Sequence, residues 1–339
     1  MKINPFILLA TGILLFSACS QEIVDTQIST DPNLVVSVYD SEKASNGTTL
    51  FTDGHDKTHL RVVEINMEGG ILWEYVVPQE LIKGQPVGFD AELLENGDVL
   101  IVLSGSGVYE VDRDGNIVWS YEDPKVSHDA DRLANGNTLI NFGANDKKMD
   151  AVIKEVSPDG ELVWEWYAED VYGTPEFTNL ESKKGWTHAN AVQRLSNGNT
   201  MVSLRNFYLT TIVDKNGQLV ADFDWSSFGA DTDPHEPEID EAAGTLLISL
   251  QNGSPYVAVE IDMDTGETLW TYSNDELRTA RDCNRLKNGN VLIVAVGSDD
   301  TSTMIEVSPE GEIVWRLDLE NFPAKGSPGF FFKAQRIEE

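Results

Sequence analysis

One two-part phrase returns along most of this chain, and a chain that repeats itself every ~45 residues folds as a stack or ring of like units. The first part is a short strand, a turn and an apolar strand. It reads FDAELLENGDVLIVL from Phe89, HDADRLANGNTLINF from His128, HANAVQRLSNGNTMVSL from His188, HEPEIDEAAGTLLISL from His235 and RDCNRLKNGNVLIVAV from Arg281. The Asn-Gly pairs at 96/97, 135/136, 197/198 and 288/289 are predicted to supply the positive φ angles of a tight hairpin, and Gly244 keeps the glycine in the fourth copy.

The second part is another hairpin that ends in an aromatic: INMEGGILWEY, VDRDGNIVWSY, VSPDGELVWEW, VDKNGQLVADF, IDMDTGETLWTY and VSPEGEIVWRL. Trp73, Trp119, Trp164, Trp270 and Trp315 occupy matching positions. One tryptophan per unit, on its third or fourth strand, predicts packing between neighbouring units rather than a ladder for a ligand. Four strands per unit and six second halves predict an all-β, six-bladed β-propeller with four antiparallel strands per blade. Only five first halves lie in register, and the C-terminus supplies the sixth: Phe332-Lys333-Ala334-Gln335-Arg336-Ile337 follows the pattern of His128 to Leu133. The rest of that blade begins near Asn46 and ends at Trp73, so pairing of the two termini closes the ring and leaves no open edge. Insertions at 142–151, 167–186 and 208–211 are predicted to be loops around one mouth of the funnel.

The first strand of each blade lines the central channel, so residues at one register face one another. That register collects Phe332, Phe89, His128, His188, His235 and Arg281, although the whole chain has only five histidines. The other two, His55 and His59, fall on a loop expected to be solvated. Three histidines suggest a metal first. The arginines weigh the other way, because Arg205 at the end of the strand after His188 adds a fixed cation, and a guanidinium beside imidazoles suits an oxyanion. Asp112 to Asn116 has a faint likeness to a calcium loop, but matching turns in other blades lack its acids, so a hairpin turn is expected.

Compartment and charge narrow the classes further. Residues 1–18 carry Lys2 and an apolar run from Phe6 to Phe16, too short to span a bilayer and like the core of a signal peptide. Leu15-Phe16-Ser17-Ala18-Cys19 resembles a bacterial lipobox. The expectation is an exported protein anchored through an acylated Cys19, at a periplasmic or cell-surface face, with a polar tether at 19–33 and a single propeller at 34–339. The lipid would be its only tie to the membrane. With Cys19 acylated only Cys283 remains, so core packing rather than an intrachain disulfide must hold the fold. The formal charge of −33 excludes unaided binding to a nucleic-acid backbone.

Trp186-Thr187-His188-Ala189-Asn190, the Asn-Gly turn and then Ser203-Leu204-Arg205 resemble the core of the bacterial arylsulfate sulfotransferases. So do His128-Asp129 with Leu133-Ala134-Asn135-Gly136-Asn137, and the His235 strand followed by Gln251-Asn252-Gly253. The resemblance implies a six-bladed propeller enzyme that moves a sulfuryl group from a phenolic sulfate ester to a phenol, with no nucleotide, metal or other cofactor. By the same resemblance His235 is the nucleophile that forms a sulfohistidine in a ping-pong cycle, and His128 is the acid/base partner. His188, Asn190 and Arg205 cradle the sulfuryl oxygens, with Arg281 on the same ring. Phe89 and Phe332 are candidates to stack on an aryl group. Glu236 and Glu238 follow His235 and would repel an anion if they faced its site. Two other classes stay open at this point: a surface propeller that binds a ligand or partner without turnover, and a metal- or quinone-dependent propeller enzyme. The phrase Asp264 to Trp270 resembles a quinone-enzyme repeat but occurs once.

Overall fold

The computed structural model describes residues 28–83, 88–178, 184–229, 232–251, 255–325 and 329–338. The leader, Cys19 and the first part of the tether lie outside them. None of the described helices is long and apolar enough to cross a membrane. Six antiparallel sheets form the six blades, and the inner strand of the first is Phe331–Glu338 from the C-terminus, paired with Gly47–Asp53. The ring is therefore closed as the sequence predicts.

A second closure was not legible in the repeat. Ser29–Thr30 pairs onto Gly70–Val76 at the rim of blade one, and Leu34–Tyr39 pairs onto Ile313–Leu319 at the rim of blade six. The N-terminal segment thus clasps both sides of the seam where the ring closes. Its cover has a measurable effect: Val314 is 1% exposed, whereas its counterparts Val118 and Val163 on uncovered rims are each 53% exposed.

The turns differ from expectation in one respect. Gly97, Gly136, Gly198 and Gly289 take positive φ, but the asparagine before each does not. Gly97 N–H donates to Leu94 O and Leu94 N–H to Asp98 O, a turn that needs only one left-handed residue. The asparagine acts through its side chain, Asn96 Oδ1 accepting from Asp98 N–H at 3.0 Å, with the same bond at Asn135, Asn197 and Asn288. The Asp112 carboxylate likewise caps its own turn by accepting from Asp114 and Asn116 N–H.

Each repeat tryptophan donates its indole N–H to a backbone carbonyl in the neighbouring blade: Trp73 to Arg113, Trp119 to Pro158, Trp164 to Lys215, Trp270 to Pro309 and Trp315 to Met67, at 2.8–3.1 Å. An arginine lies over each ring. Arg132, Arg194, Arg285 and Arg336 do so from the inner strand of the next blade, and Arg113 serves Trp73 because Leu93 holds the inner-strand position there. Where the tryptophan is replaced by Ala221, the facing residue is Ile239 instead of arginine, and the interface is aliphatic. The tryptophans are blade-to-blade packing.

The predicted insertions at 142–151 and 167–186 lie between strands, the second containing short helices Glu169–Tyr172 and Pro175–Thr178. The segment 208–211 does not form a mouth loop. Arg205–Phe207 makes a tight turn and Leu209–Val213 is already a strand, because Leu209 and Ile212 are needed in the core. His55 is also not solvated: its Nδ1 lies 2.7 Å from Asp53 and its ring packs on Phe322.

Candidate active site

Four of the six inner strands carry a register shift near their upper ends: between Ala189 and Ala191, His235 and Glu238, Ala280 and Asp282, and Phe331 and Ala334. A bulge turns successive side chains toward one side and is a common way to aim residues at a site. His188 and Glu236 reach it with φ of 48° and 45°, a conformation that costs free energy for any residue but glycine. Asp146, from the 142–151 insertion, holds the first of these: its carboxylate accepts from the N–H groups of Thr187 and His188 and from the Thr187 hydroxyl at 2.8–3.2 Å.

The result is a compact imidazole cluster. The ring of His128 lies 5.1 Å from His188, 6.2 Å from His235 and 5.8 Å from Phe332, and His235 lies 5.5 Å from Phe332. Arg281 stacks over Phe332 at 5.2 Å and brings Nη1 to 3.3 Å from His235 Nε2. Phe89, in contrast, is buried among Leu50, Val62 and Tyr109 between blades one and two, so it belongs to the core rather than the cluster. Arg205 is paired with Asp233, two residues before His235, and is thereby fixed against blade five. Asn190 donates from Nδ2 to Pro234 O at 3.3 Å, while its buried Oδ1 meets no donor among the described residues.

Hydrogen bonds assign the tautomers, since a carbonyl can only accept. His235 Nδ1 faces Arg281 O at 2.7 Å and His188 Nδ1 faces Lys184 O at 2.6 Å, so both donate there and leave Nε2 unprotonated. His128 Nδ1 bonds to the Ser127 hydroxyl, whose oxygen also accepts from Ala144 N–H. Burial, then neighbouring positive charge, pushes all three imidazoles below their ordinary range, His188 to about 4 and the other two well below. They are neutral at pH 7. Burial and then repulsion by Arg205 pull Arg281 down to about 9, and Arg205 also lowers Lys184. On a protein of charge −33, this mouth is a local concentration of cations.

Beneath the cluster the channel changes sign. Lys333, which follows Phe332, is partly buried, its side chain 14% exposed, with its ammonium 2.6 Å from Asp129, 2.9 Å from Glu236 and 3.3 Å from Asp90. Glu236 therefore points down to a lysine instead of into the cluster. Glu238 lies lower still and accepts from Arg285 N–H at 3.1 Å. Burial raises both carboxyls, Glu238 to about 7, and the Lys333 ammonium opposes the rise at Glu236. Below Lys333 opens a cavity of about 650 Å³ lined by Glu92, Asp131, Gln193, Glu238, Asn284 and Gln335. Several of these side chains tie one blade's inner strand to the next, as Gln193 does in both directions with the Ile239 backbone.

Sequence reasoning missed Lys333, Asp146, Ser127 and Asp233. Lys333 and Asp233 were within reach, one directly after a ring residue and the other two before one. The roles of Asp146 and Ser127 depend on where a loop folds back, which no repeat pattern encodes. Among the described residues no group of three or more His, Cys, Asp or Glu side chains converges to hold a metal ion, and Cys283 is a buried free thiol.

Among solved structures, a protein of unknown function from Bacteroides caccae superposes with a TM-score of 0.61 at 19% identity, over 87% of this chain and 100% of that one. A streptogramin B lyase superposes with a TM-score of 0.52 at 12% identity, over 83% and 86% of the two chains. The β-propeller domain of Cps50 (Swd1) from Myceliophteria thermophila gives 0.52 at 11% identity, over 84% and 89%. At these identities the likeness concerns the fold. No curated protein matches the chain in sequence. The profile of the arylsulfotransferase (ASST) family matches residues 35–219, more than half of the chain and the stretch that contains His128, His188, Asn190 and Arg205. With that match on a six-bladed propeller that gathers these residues at one mouth, the chain belongs to the arylsulfotransferase family.

Proposed function

We propose that this protein transfers a sulfuryl group from a phenolic sulfate ester to a phenol through a sulfohistidine on His235. The observation that carries the reading is the orientation of that imidazole: Nδ1–H is committed to a carbonyl, and the unprotonated Nε2 accepts from Arg281 Nη1 at 3.3 Å, a donor that the sulfuryl oxygens of a bound ester would take over. A nucleophilic lone pair beside a fixed cation is what attack on an anionic sulfur centre requires.

In the first step Nε2 of His235 attacks sulfur, the N–S bond forms and the S–O(aryl) bond breaks. Arg281 and Arg205 offset charge on the sulfuryl oxygens, and the second Nδ2 hydrogen of Asn190 is free to join them. The phenolate departs as the anion, its oxygen accepting from Nε2–H of the neutral His128, whose Nδ1 accepts from Ser127 in this state, and it takes its proton from solvent. In the second step His128, now in the tautomer whose Nδ1–H donates to Ser127 Oγ, removes the proton from the incoming phenol at Nε2 and passes it to solvent, and the phenol oxygen attacks sulfur as the N–S bond breaks. Transfer of this kind resembles phosphoryl transfer, in which positioning and charge stabilisation dominate. A sulfate monoester carries one negative charge, so arginines suffice where a phosphate needs more. Phe332, stacked under Arg281 and beside two of the imidazoles, is the aromatic surface available to the aryl ring.

The test is release of 4-nitrophenol from 4-nitrophenyl sulfate by the purified protein, with and without added phenol, beside His235→Ala. Phenol-dependent release that the substitution abolishes supports the reading. Release without phenol indicates a sulfatase, and no release by folded protein indicates a propeller that binds without turnover. We also propose that the protein is exported and acylated at Cys19, which mass spectrometry of the mature N-terminus would test.

A further inference from the structure

Lys333 belongs to no step above, yet it is the cation at the centre of the channel. Each of its three partners directly follows a residue of the upper register: Asp90 follows Phe89, Asp129 follows His128, and Glu236 follows His235. Lys333 itself follows Phe332, so one ammonium ties together four inner strands just below the cluster.

Glu236 stands apart from the other two. It occupies the bulge after the proposed nucleophile with φ of 45°, and its carboxylate lies between two possible partners. Oε2 is 2.9 Å from Lys333 Nζ, whereas Oε1 is 3.6 Å from His235 Nδ1 and has no hydrogen-bond partner among the described residues. His235 Nδ1 is meanwhile committed to Arg281 O at 2.7 Å. A small rotation of the Glu236 side chain would therefore exchange a lysine–carboxylate pair for a histidine–carboxylate pair. We propose that Lys333 is a positioning residue that holds the Glu236 carboxylate down and away from His235, keeping the imidazole neutral and its Nε2 available. The inference rests on the sulfohistidine reading for its catalytic consequence, but its structural content does not.

An imidazole whose Nδ1–H faces a neutral carbonyl gains only a small preference for its protonated form, whereas one facing an unpaired carboxylate gains a full countercharge for it. A protonated His235 has no lone pair at Nε2 and cannot attack. The other groups around it do not replace Lys333. Arg281, Arg205 and His128 oppose protonation from above and beside it. Asp129, Asp90 and Asp282 lie below and act on Lys333. Lys333 is the residue that engages Glu236 directly.

The experiment compares wild type, Lys333→Met, Glu236→Gln and the double variant. The readouts are the acid limb of the kcat/KM profile with 4-nitrophenyl sulfate and an NMR titration of the His235 imidazole. Lys333→Met is expected to move both the limb and the His235 pKa upward by about 1–3 units, the range for an opposite charge at such distances. Adding Glu236→Gln should bring both back, because the carboxylate is then gone. A loss that is equal at all pH, with an unmoved His235 pKa and no recovery in the double variant, would overturn the proposal and leave Lys333 a packing residue. If Lys333→Met fails to fold, Glu236→Gln alone still decides: folded protein with retained turnover and an acid limb at or below wild type supports the proposal, and folded protein without turnover overturns it. Absence of turnover in wild type would refute the sulfotransferase reading instead, and the NMR titration would then judge Lys333 by itself.

Discussion

Gly88 offers a direct test of whether His128 takes part in turnover. It has a φ of 80°, and a Cβ built there would lie 2.9 Å from His128 Cδ2 and 3.0 Å from Cγ. Ordinary carbon–carbon contact is near 3.5 Å, so in Gly88→Ala the ring must retreat by about 0.6 Å. The substitution also places an L-residue in the left-handed region, at a cost of about 1–2 kcal/mol. The two effects separate cleanly, because Gly97 in the same blade has a φ of 89° and nothing within 4 Å of its would-be Cβ. Gly97→Ala should therefore lose only the backbone cost, about 2–4 °C in Tm per kcal/mol, and Gly88→Ala at least as much. Only Gly88→Ala should lose kcat, by about 10–100-fold, since a misplacement approaching 1 Å in a reacting group costs up to about that much. The assays are thermal denaturation and steady-state release of 4-nitrophenol. Equal turnover in the two variants would refute the placement of His128 at the reacting atoms, whatever the stability change.

Three further outcomes are expected. Burial raises the carboxyls of Asp90 to about 8 and of Glu92 and Glu238 to about 7, so their protonation in the folded state stabilises it below those values and that stability is lost as pH rises through them. The three lowered imidazoles act in the opposite sense as pH falls toward their unfolded value of about 6.5, and offset about 1 kcal/mol of this gain by that point. The urea midpoint should therefore rise as pH falls from 8 to 6.5, by a gain of about 1–3 kcal/mol, and a falling midpoint in that window would contradict the burial of these groups. Arg281→Met should cut kcat/KM for 4-nitrophenyl sulfate by about 100–1,000-fold, the usual effect of removing one donor from a developing anion, and a change under threefold would remove Arg281 from the site. Trp119→Phe deletes the bond to Pro158 O and should cost about 1 kcal/mol in urea unfolding while turnover stays unchanged.

Much of the candidate site was legible because a propeller maps a one-dimensional repeat onto a circle. Once the phrases from His128, His188, His235 and Arg281 were aligned, their shared register implied a common height, and those side chains do meet within a few ångströms, His128 beside an unbulged strand and the other three beside bulged ones. Phe89 holds the same register but turns into the core, where Leu50, Val62 and Tyr109 receive it. The alternation of a strand states which residues share a height. It does not state which way a side chain leans when the strand starts later, as at Asp90, or is bulged, as at His235.

The sequence by itself determined the number of blades, the termini that close the ring, and the tryptophans that pack one blade on the next, because each of these follows from local periodicity repeated six times. Only the tertiary structure decided that Leu34–Tyr39 completes the rim of blade six, that Asp146 holds His188 in a left-handed conformation, and that Glu236 is turned to Lys333 rather than to its neighbour His235. Those contacts join residues about 40 to 280 positions apart whose partners are chosen by packing and charge in three dimensions, and no period in the chain records that choice.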